Sequence, residues 1–127
     1  MTVIGAHFAG WSMWEDATRQ LAGRKNLYVD LSSSLYALSP ETANELIHAY
    51  GTDKVLWGTD YPMWESESEM EYFNKIDLTD EERSMILYEN AFNLLKRPNI
   101  DYKILKEFDN YLKELEEELI KIKEISI

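Results

Sequence analysis

Apolar positions in the first hundred residues switch between two periods. Val3 to Phe8 is a short apolar run ending at a glycine turn and reads as a buried strand. Ser12-Met-Trp-Glu15 has the form of a capping box, a hydroxyl with a glutamate three positions on. Trp14, Ala17 and Leu21 then share one helical face, and Gly23 is a natural stop. Leu27 to Leu31 predicts the second strand. Ser39-Pro40 is an N-cap followed by proline at the first helical position, and Ala43, Leu46, Ile47 and Tyr50 line the helix it opens, up to Gly51. Lys54 to Trp57 predicts the third strand, running into Gly58-Thr-Asp-Tyr-Pro62, where proline forbids interior sheet pairing. A loop rich in Glu and Ser leads to a short helix over 68–75. Thr79-Asp-Glu-Glu82 is another capping box, opening a helix that carries Ile86, Leu87, Leu94 and Leu95. Strands alternating with helices predict an α/β fold with parallel strands and right-handed crossovers.

The pattern changes at Pro98. Leu105, Phe108, Leu112, Leu115, Leu119 and Ile122 recur at spacings of 3 and 4, a heptad seam of nearly three repeats. This predicts a long amphipathic helix. Its seam can pack on its own domain, pair with another chain, or cover a sheet face that would otherwise lie open. The chain therefore divides into residues 1–97, an α/β part, and 98–127, a helical extension.

Composition narrows the chemistry. Hydrophobic residues make up 45% of the 127, including eight Tyr and four Trp, which is a globular balance. There is no Cys, so disulfides, thiolate nucleophiles and zinc–cysteine sites are excluded, and the chain suits a reducing cytoplasm. No apolar stretch approaches the roughly 20 residues of a membrane span, and the start lacks the charged flank of a signal peptide. Lys and Arg number 13 against 24 Asp and Glu, giving a net charge of -11. That excess argues against nucleic acid or an anionic membrane as a partner, and it keeps a surface soluble.

In parallel strand–helix folds, sites sit on the rim formed by the carboxyl ends of the strands. His7 and Asp60 both fall at predicted strand ends. Asp30 lies inside the second strand, and Ser32 to Ser34 follow it. A carboxylate and an imidazole on one rim can hold a divalent ion, or the imidazole can move a proton near neutral pH. Each residue also has a plain structural use, His7 in packing and Asp60 as a turn former before Tyr61-Pro62. Trp11 and Trp64 fall in or near rim loops and can line a pocket, whereas Trp14 belongs to a helix's apolar face. His48 sits in a helix with no partner pattern. Glycine-rich phosphate loops, G-x-S-x-G and His-Glu-x-x-His are all absent, and no histidine is placed to activate Ser32, Ser33 or Ser34.

Four blocks carry a resemblance. They are Ile4-Gly-Ala-His7-Phe-Ala-Gly10-Trp11, Tyr28-Val-Asp30-Leu-Ser-Ser33, Val55-Leu-Trp-Gly-Thr-Asp60-Tyr-Pro62 and Ile86-Leu-Tyr-Glu-Asn90-Ala91-Phe-Asn-Leu-Leu95. In this order and spacing they resemble the amidohydrolase-related family of metal-dependent hydrolases and decarboxylases like aminocarboxymuconate semialdehyde decarboxylase. The resemblance covers residues 1–97. It implies a partial TIM barrel whose three strands are the sixth, seventh and eighth. It implies Asp60 as a metal ligand that can also take a proton from bound water. It implies His7 as the histidine that contacts metal or substrate in acid–base chemistry. Zinc, or another divalent metal, is the implied ion; beside it, Trp11, Tyr61 and Trp64 are the expected substrate-pocket residues from their place in or near the rim loops.

The chain departs from the family in what it lacks. The His-x-His pair of the family's first strand and the histidine of its fifth have no counterpart among the two histidines here. A catalytic zinc takes about three protein ligands, and an eight-unit barrel needs about 250 residues. The expectation is a carboxyl-terminal part of a larger cytoplasmic enzyme, binding no metal by itself and acting on a small carbonyl or carboxylate compound once completed. Two alternatives stand beside it. One is a non-enzymatic module that self-associates through the terminal helix. The other is a split enzyme completed by a complementing chain.

Overall fold

The computed structural model describes residues 1–95 and 102–125, with the side chains of the second stretch given from residue 106 onward. Three strands, β1 (Val3–Gly5), β2 (Leu27–Asp30) and β3 (Val55–Leu56), form one sheet in the order β1-β2-β3. Both pairings are parallel, with Val3 opposite Leu27 and Val29 opposite Val55. Helices α1 (Trp14–Leu21) and α2 (Pro40–Tyr50) make the crossovers, so all three strands end on one rim. After β3 come α3 (Ser66–Asn74), α4 (Asp80–Ser84), a π turn (Met85–Glu89) and α5 (Asn90–Leu95). This is the α/β arrangement of part of a TIM barrel.

The core explains why these helices lie where they do. Val29 and Val55 in the sheet, Phe8 and Leu31 just past strand ends, and Ile47, Phe73, Ile76 and Ile86 from the helical side are fully or almost fully buried. The expected face of α2 is the buried one, Ala43, Leu46, Ile47 and Tyr50. Its cap is as expected too: Ser39 accepts a hydrogen bond from the Thr42 N–H at 3.1 Å. The Thr79–Glu82 capping box closes reciprocally at the start of α4. Tyr50 donates to the Phe8 carbonyl at 2.9 Å, tying α2 to the turn after β1.

Several local expectations are corrected. The first strand ends at Gly5 rather than Phe8, and Val3 and Ile4, whose side chains stand on opposite faces of this edge strand, are both exposed. His7–Ala9 is a turn with left-handed backbone. Ser12 caps nothing: its φ is 63°, and α1 starts at Trp14 behind Met13 with no side-chain cap. The third strand is only Val55–Leu56, since Thr52–Lys54 forms a 3-10 turn. The helix expected to run unbroken from Asp80 to Leu95 contains the π turn, and Leu95 is exposed.

That π turn joins the helices to β3. The Ile86 carbonyl accepts the Trp57 N–H at 2.9 Å. Asn90 Nδ2 donates to the carbonyls of Thr52 and Val55 at 2.7 and 2.8 Å. A π turn carries one extra residue and releases a backbone group from the helix ladder, and here the sheet takes it up.

The second unit contains α6 (Tyr102–Ile125), 24 residues or about 36 Å of helix. Phe108, Leu112, Leu119 and Ile122 of the expected seam are exposed. An i,i+4 ion pair joins Asp109 and Lys113 at 3.3 Å. The break at Pro98, the boundary at 97 and the side chain of Leu105 lie outside the described residues. Among those residues, no helix is long and apolar enough to cross a membrane.

Candidate active site at the carboxyl ends of the strands

Each strand hands its chain to a loop containing a non-glycine residue in the left-handed region. His7 follows β1 with φ 58°, Ser33 follows β2 with φ 47°, and Asp60 follows β3 with φ 62°. Such conformations cost on the order of 1 kcal/mol or more each and persist only where the surroundings enforce them. Gly5 is one enforcing element, because a Cβ there would meet the Ala9 Cβ at 2.4 Å, so only glycine lets the chain fold back this tightly at His7.

The β2 carboxylate holds two of these loops together. Asp30 Oδ1 accepts the N–H of His7 at 3.0 Å and the N–H of Ser32 at 3.0 Å, and it also accepts the Ser32 hydroxyl. The Ser32 hydroxyl proton is thereby directed at Asp30. Both the Ser32 hydroxyl and its carbonyl oxygen lie 2.9 Å from His7 Nδ1, and both face it as acceptors. Facing a carbonyl oxygen that can only accept, Nδ1 carries a proton, and Nε2 has no hydrogen-bond partner among the described residues.

At the other end of the rim, Ser33 is buried and donates to Asp60 Oδ2 at 2.7 Å. The same Ser33 oxygen accepts from Trp64 Nε1 at 2.9 Å. The Trp64 ring stacks on Tyr36, with centroids 4.7 Å apart. The Met63 N–H bonds the Asp60 carbonyl at 2.8 Å, closing the turn that carries the aspartate.

His7, Ser33 and Asp60 line a common cleft of about 320 Å³, walled by Trp11, Tyr36, Met63 and Trp64. The structure thus brings His7 and Asp60 to one lip and places Trp11 and Trp64 beside them. Tyr61 does not line this cleft and is exposed. The sequence singles out Asp30 and Ser33 only by their place at the end of the second strand, without their partners, and Tyr36 not at all. Asp30 left a faint signal, since an aspartate two residues before a serine favours a local turn. The pairings of Ser33 and Tyr36 left none, because their partners lie 27 and 28 residues further along the chain.

The donor set falls short of a metal centre by itself. Among the described residues, no three His, Asp or Glu side chains converge. His7 and Asp60 supply two donors against the roughly three that a catalytic ion takes.

A parallel sheet with a cleft on its carboxyl rim, apolar-walled and holding a few polar side chains, is the arrangement of barrel enzymes. The profile of the amidohydrolase family (Amidohydro_2) matches residues 1–97. The chain belongs to the amidohydrolase family. Decarboxylase orsB of Emericella nidulans is 27% identical over 97 residues, covering 73% of this chain and 28% of that protein. Among solved structures, 2,6-dihydroxybenzoate decarboxylase from Rhizobium superposes with a TM-score of 0.57 at 23% identity, over 75% of this chain and 34% of that one. Dihydroxybenzoic acid decarboxylase from Polaromonas sp. JS666, with bound manganese and the inhibitor 2-nitroresorcinol, gives 0.57 at 24%, over 78% and 35%. A putative 2-pyrone-4,6-dicarboxylic acid hydrolase from Pseudomonas putida gives 0.54 at 24%, over 74% and 42%. The chain spans about a third of the length of these relatives.

Proposed function

We propose that this chain forms the carboxyl-terminal lip of a cytoplasmic, metal-dependent decarboxylase or hydrolase acting on a small carboxylate compound. Its strands correspond to the sixth, seventh and eighth of the barrel, and it is inactive until a polypeptide bearing the other five completes the rim. The observation that carries this reading is the shared cleft of His7 and Asp60, with Nε2 of His7 left without a partner among the described residues. The relatives' names support decarboxylation or hydrolysis of carboxylates, and the manganese of the Polaromonas structure supports a divalent ion, zinc or manganese.

In this reading His7 moves a proton through Nε2, with Nδ1–H anchored on Ser32. Asp60 contributes one carboxylate oxygen to an ion whose remaining ligands come from the completing strands. Trp11 and Trp64 exclude water from the substrate side.

Combining the chain with a polypeptide carrying the family's first five strands tests the proposal. A complex with stoichiometric metal, lost in Asp60→Asn, and turnover of a dihydroxybenzoate or a pyrone dicarboxylate, lost in His7→Gln, is the expected result. A stable complex without metal refutes it. The exposed seam of Phe108, Leu112 and Leu119 favours a second reading, assembly through α6. Light scattering on the full chain and on a version lacking α6 checks it, since a full chain that runs as a monomer, like the shortened one, would exclude assembly.

A further inference from the structure

We propose that Ser33 is a positioning residue for Asp60, its hydroxyl held in one direction by the Trp64 indole. The inference rests on the reading of Asp60 as the working carboxylate.

The direction of the hydroxyl follows from what each group can donate and accept. An indole N–H can only donate. Trp64 Nε1 lies 2.9 Å from Ser33 Oγ, so that bond uses a lone pair of the hydroxyl and leaves its single proton to go elsewhere. The proton goes to Asp60 Oδ2 at 2.7 Å. The relay Trp64→Ser33→Asp60 therefore runs one way only. A hydroxyl with the opposite polarity would set two protons against each other at the indole.

Three observations keep the relay in place. Ser33 is 6% exposed, so water does not compete for its oxygen. Its φ of 47° is a conformation serine does not adopt without enforcement. The Trp64 ring is fixed by its stack on Tyr36. Asp60, by contrast, is exposed at the loop tip, and the hydroxyl of Ser33 is the single side-chain donor given to it among the described residues. The consequence is a carboxylate with one oxygen committed. Oδ2 is pinned as an acceptor, and Oδ1 remains without a partner for a cation or proton in the cleft. Hydrogen bonds in series polarise one another, so a change at Asp60 should be felt at Trp64 although the two residues share no bond.

Indole N–H signals of the nitrogen-15-labelled full chain test this directly. The four tryptophans give four signals, and Trp64→Phe identifies one by its loss. Ser33→Gly removes the hydroxyl while suiting φ 47°, and Asp60→Gly removes the acceptor while suiting φ 62°. The expected result is an upfield shift of the Trp64 signal in both variants, with faster exchange in Ser33→Gly and the Trp14 and Trp57 signals unmoved. A Trp64 signal that stays in place in Asp60→Gly overturns the relay, because the two bonds would then be independent. If Ser33→Gly loses the Trp14 and Trp57 signals through unfolding, Trp64→Phe asks the same question from the other end. The carboxyl carbon of Asp60 should then shift, and an unmoved carbon overturns the proposal. These readouts need neither metal nor substrate. A metal-free complex would refute the proposed function and leave the coupling intact, whereas lost coupling in a metal-loaded complex would remove only the role of Ser33.

Discussion

On the strand-end rim, His7 sets Nδ1 2.9 Å from the carbonyl of Ser32, 25 residues away. On the outer helical layer, His48 sets Nδ1 2.9 Å from the carbonyl of Asn44, one helical turn back. The anchoring is the same, but the other nitrogen differs. His48 Nε2 is taken by Glu82 Oε1 at 2.9 Å, an ion pair between α2 and α4, while His7 Nε2 has no partner among the described residues. The two sites also treat carboxylates differently. Asp30 and Asp60 on the rim accept hydrogen bonds from defined donors. Glu69 on α3 is buried at 1% exposure with neither oxygen hydrogen-bonded. The helical histidine has both ring nitrogens occupied, and the rim histidine has one nitrogen open to the cleft, as the proposed role of His7 requires.

Removing Asp30 should break this contrast most severely. Asp30→Ala orphans two N–H groups and a hydroxyl at once, and a buried donor left unsatisfied costs about 1–3 kcal/mol. We expect a loss of about 3 kcal/mol in urea denaturation, together with release of the His7 ring from its orientation against Ser32. A loss below about 1 kcal/mol would mean that Asp30 does not hold the loops together.

Glu69 sharpens the contrast in the opposite direction. Burial raises its pKa above the ordinary 4.5. A carboxyl with a raised folded pKa costs nothing below its unfolded value and progressively more as pH rises through the folded one. Glu69→Leu should therefore stabilise the chain by about 1 kcal/mol at pH 7 and by less at pH below 4.5. A destabilised variant at pH 7 would show that the carboxylate has a partner.

The smallest effect belongs to His48. Its pKa is raised above 6.5, first by the Asn44 carbonyl and then by Glu82. That of Glu82 is lowered below 4.5, first by the Thr79 N–H and then by His48. The histidine's contribution is complete below 6.5 and fades as pH rises through its folded value. The glutamate's is complete above 4.5 and fades as pH falls. The pair is strongest between those limits, and as an exposed pair it is worth under about 1 kcal/mol. His48→Ala should lower stability at pH 5.5 and hardly at all at pH 9. Equal losses at both would assign the effect to packing.

The same contrast explains what could be read in advance. The apolar face of α2, the Ser39-Pro40 start and the Thr79–Glu82 box are fixed by neighbours within one or two turns, and each has the form expected of it. His7 and Asp60 were found as strand-end residues, through a periodicity that is also local. The Asp30 clamp and the Ser33 relay depend on loops meeting from separate strands, which no spacing encodes. The Ser12 box failed because the tight turn at His7–Ala9 passes to Met13 before the helix begins, carrying Ser12 out of capping position. The π turn was hidden for a related reason, since its cause is an N–H on Trp57, 29 residues earlier.

The stitching of the π turn and α5 to β3 makes the sheet polar in how it can grow. Alternate residues of a strand present their backbone groups to opposite sides. Leu56 uses the β2 side, so Val55 and Trp57 face outward. Asn90 already occupies the first and Ile86 the second. A newcomer aligning along that margin must evict a helix. Along β1, the backbone groups of Ile4 carry no such stopper among the described residues, so that margin is the one left open to a further strand.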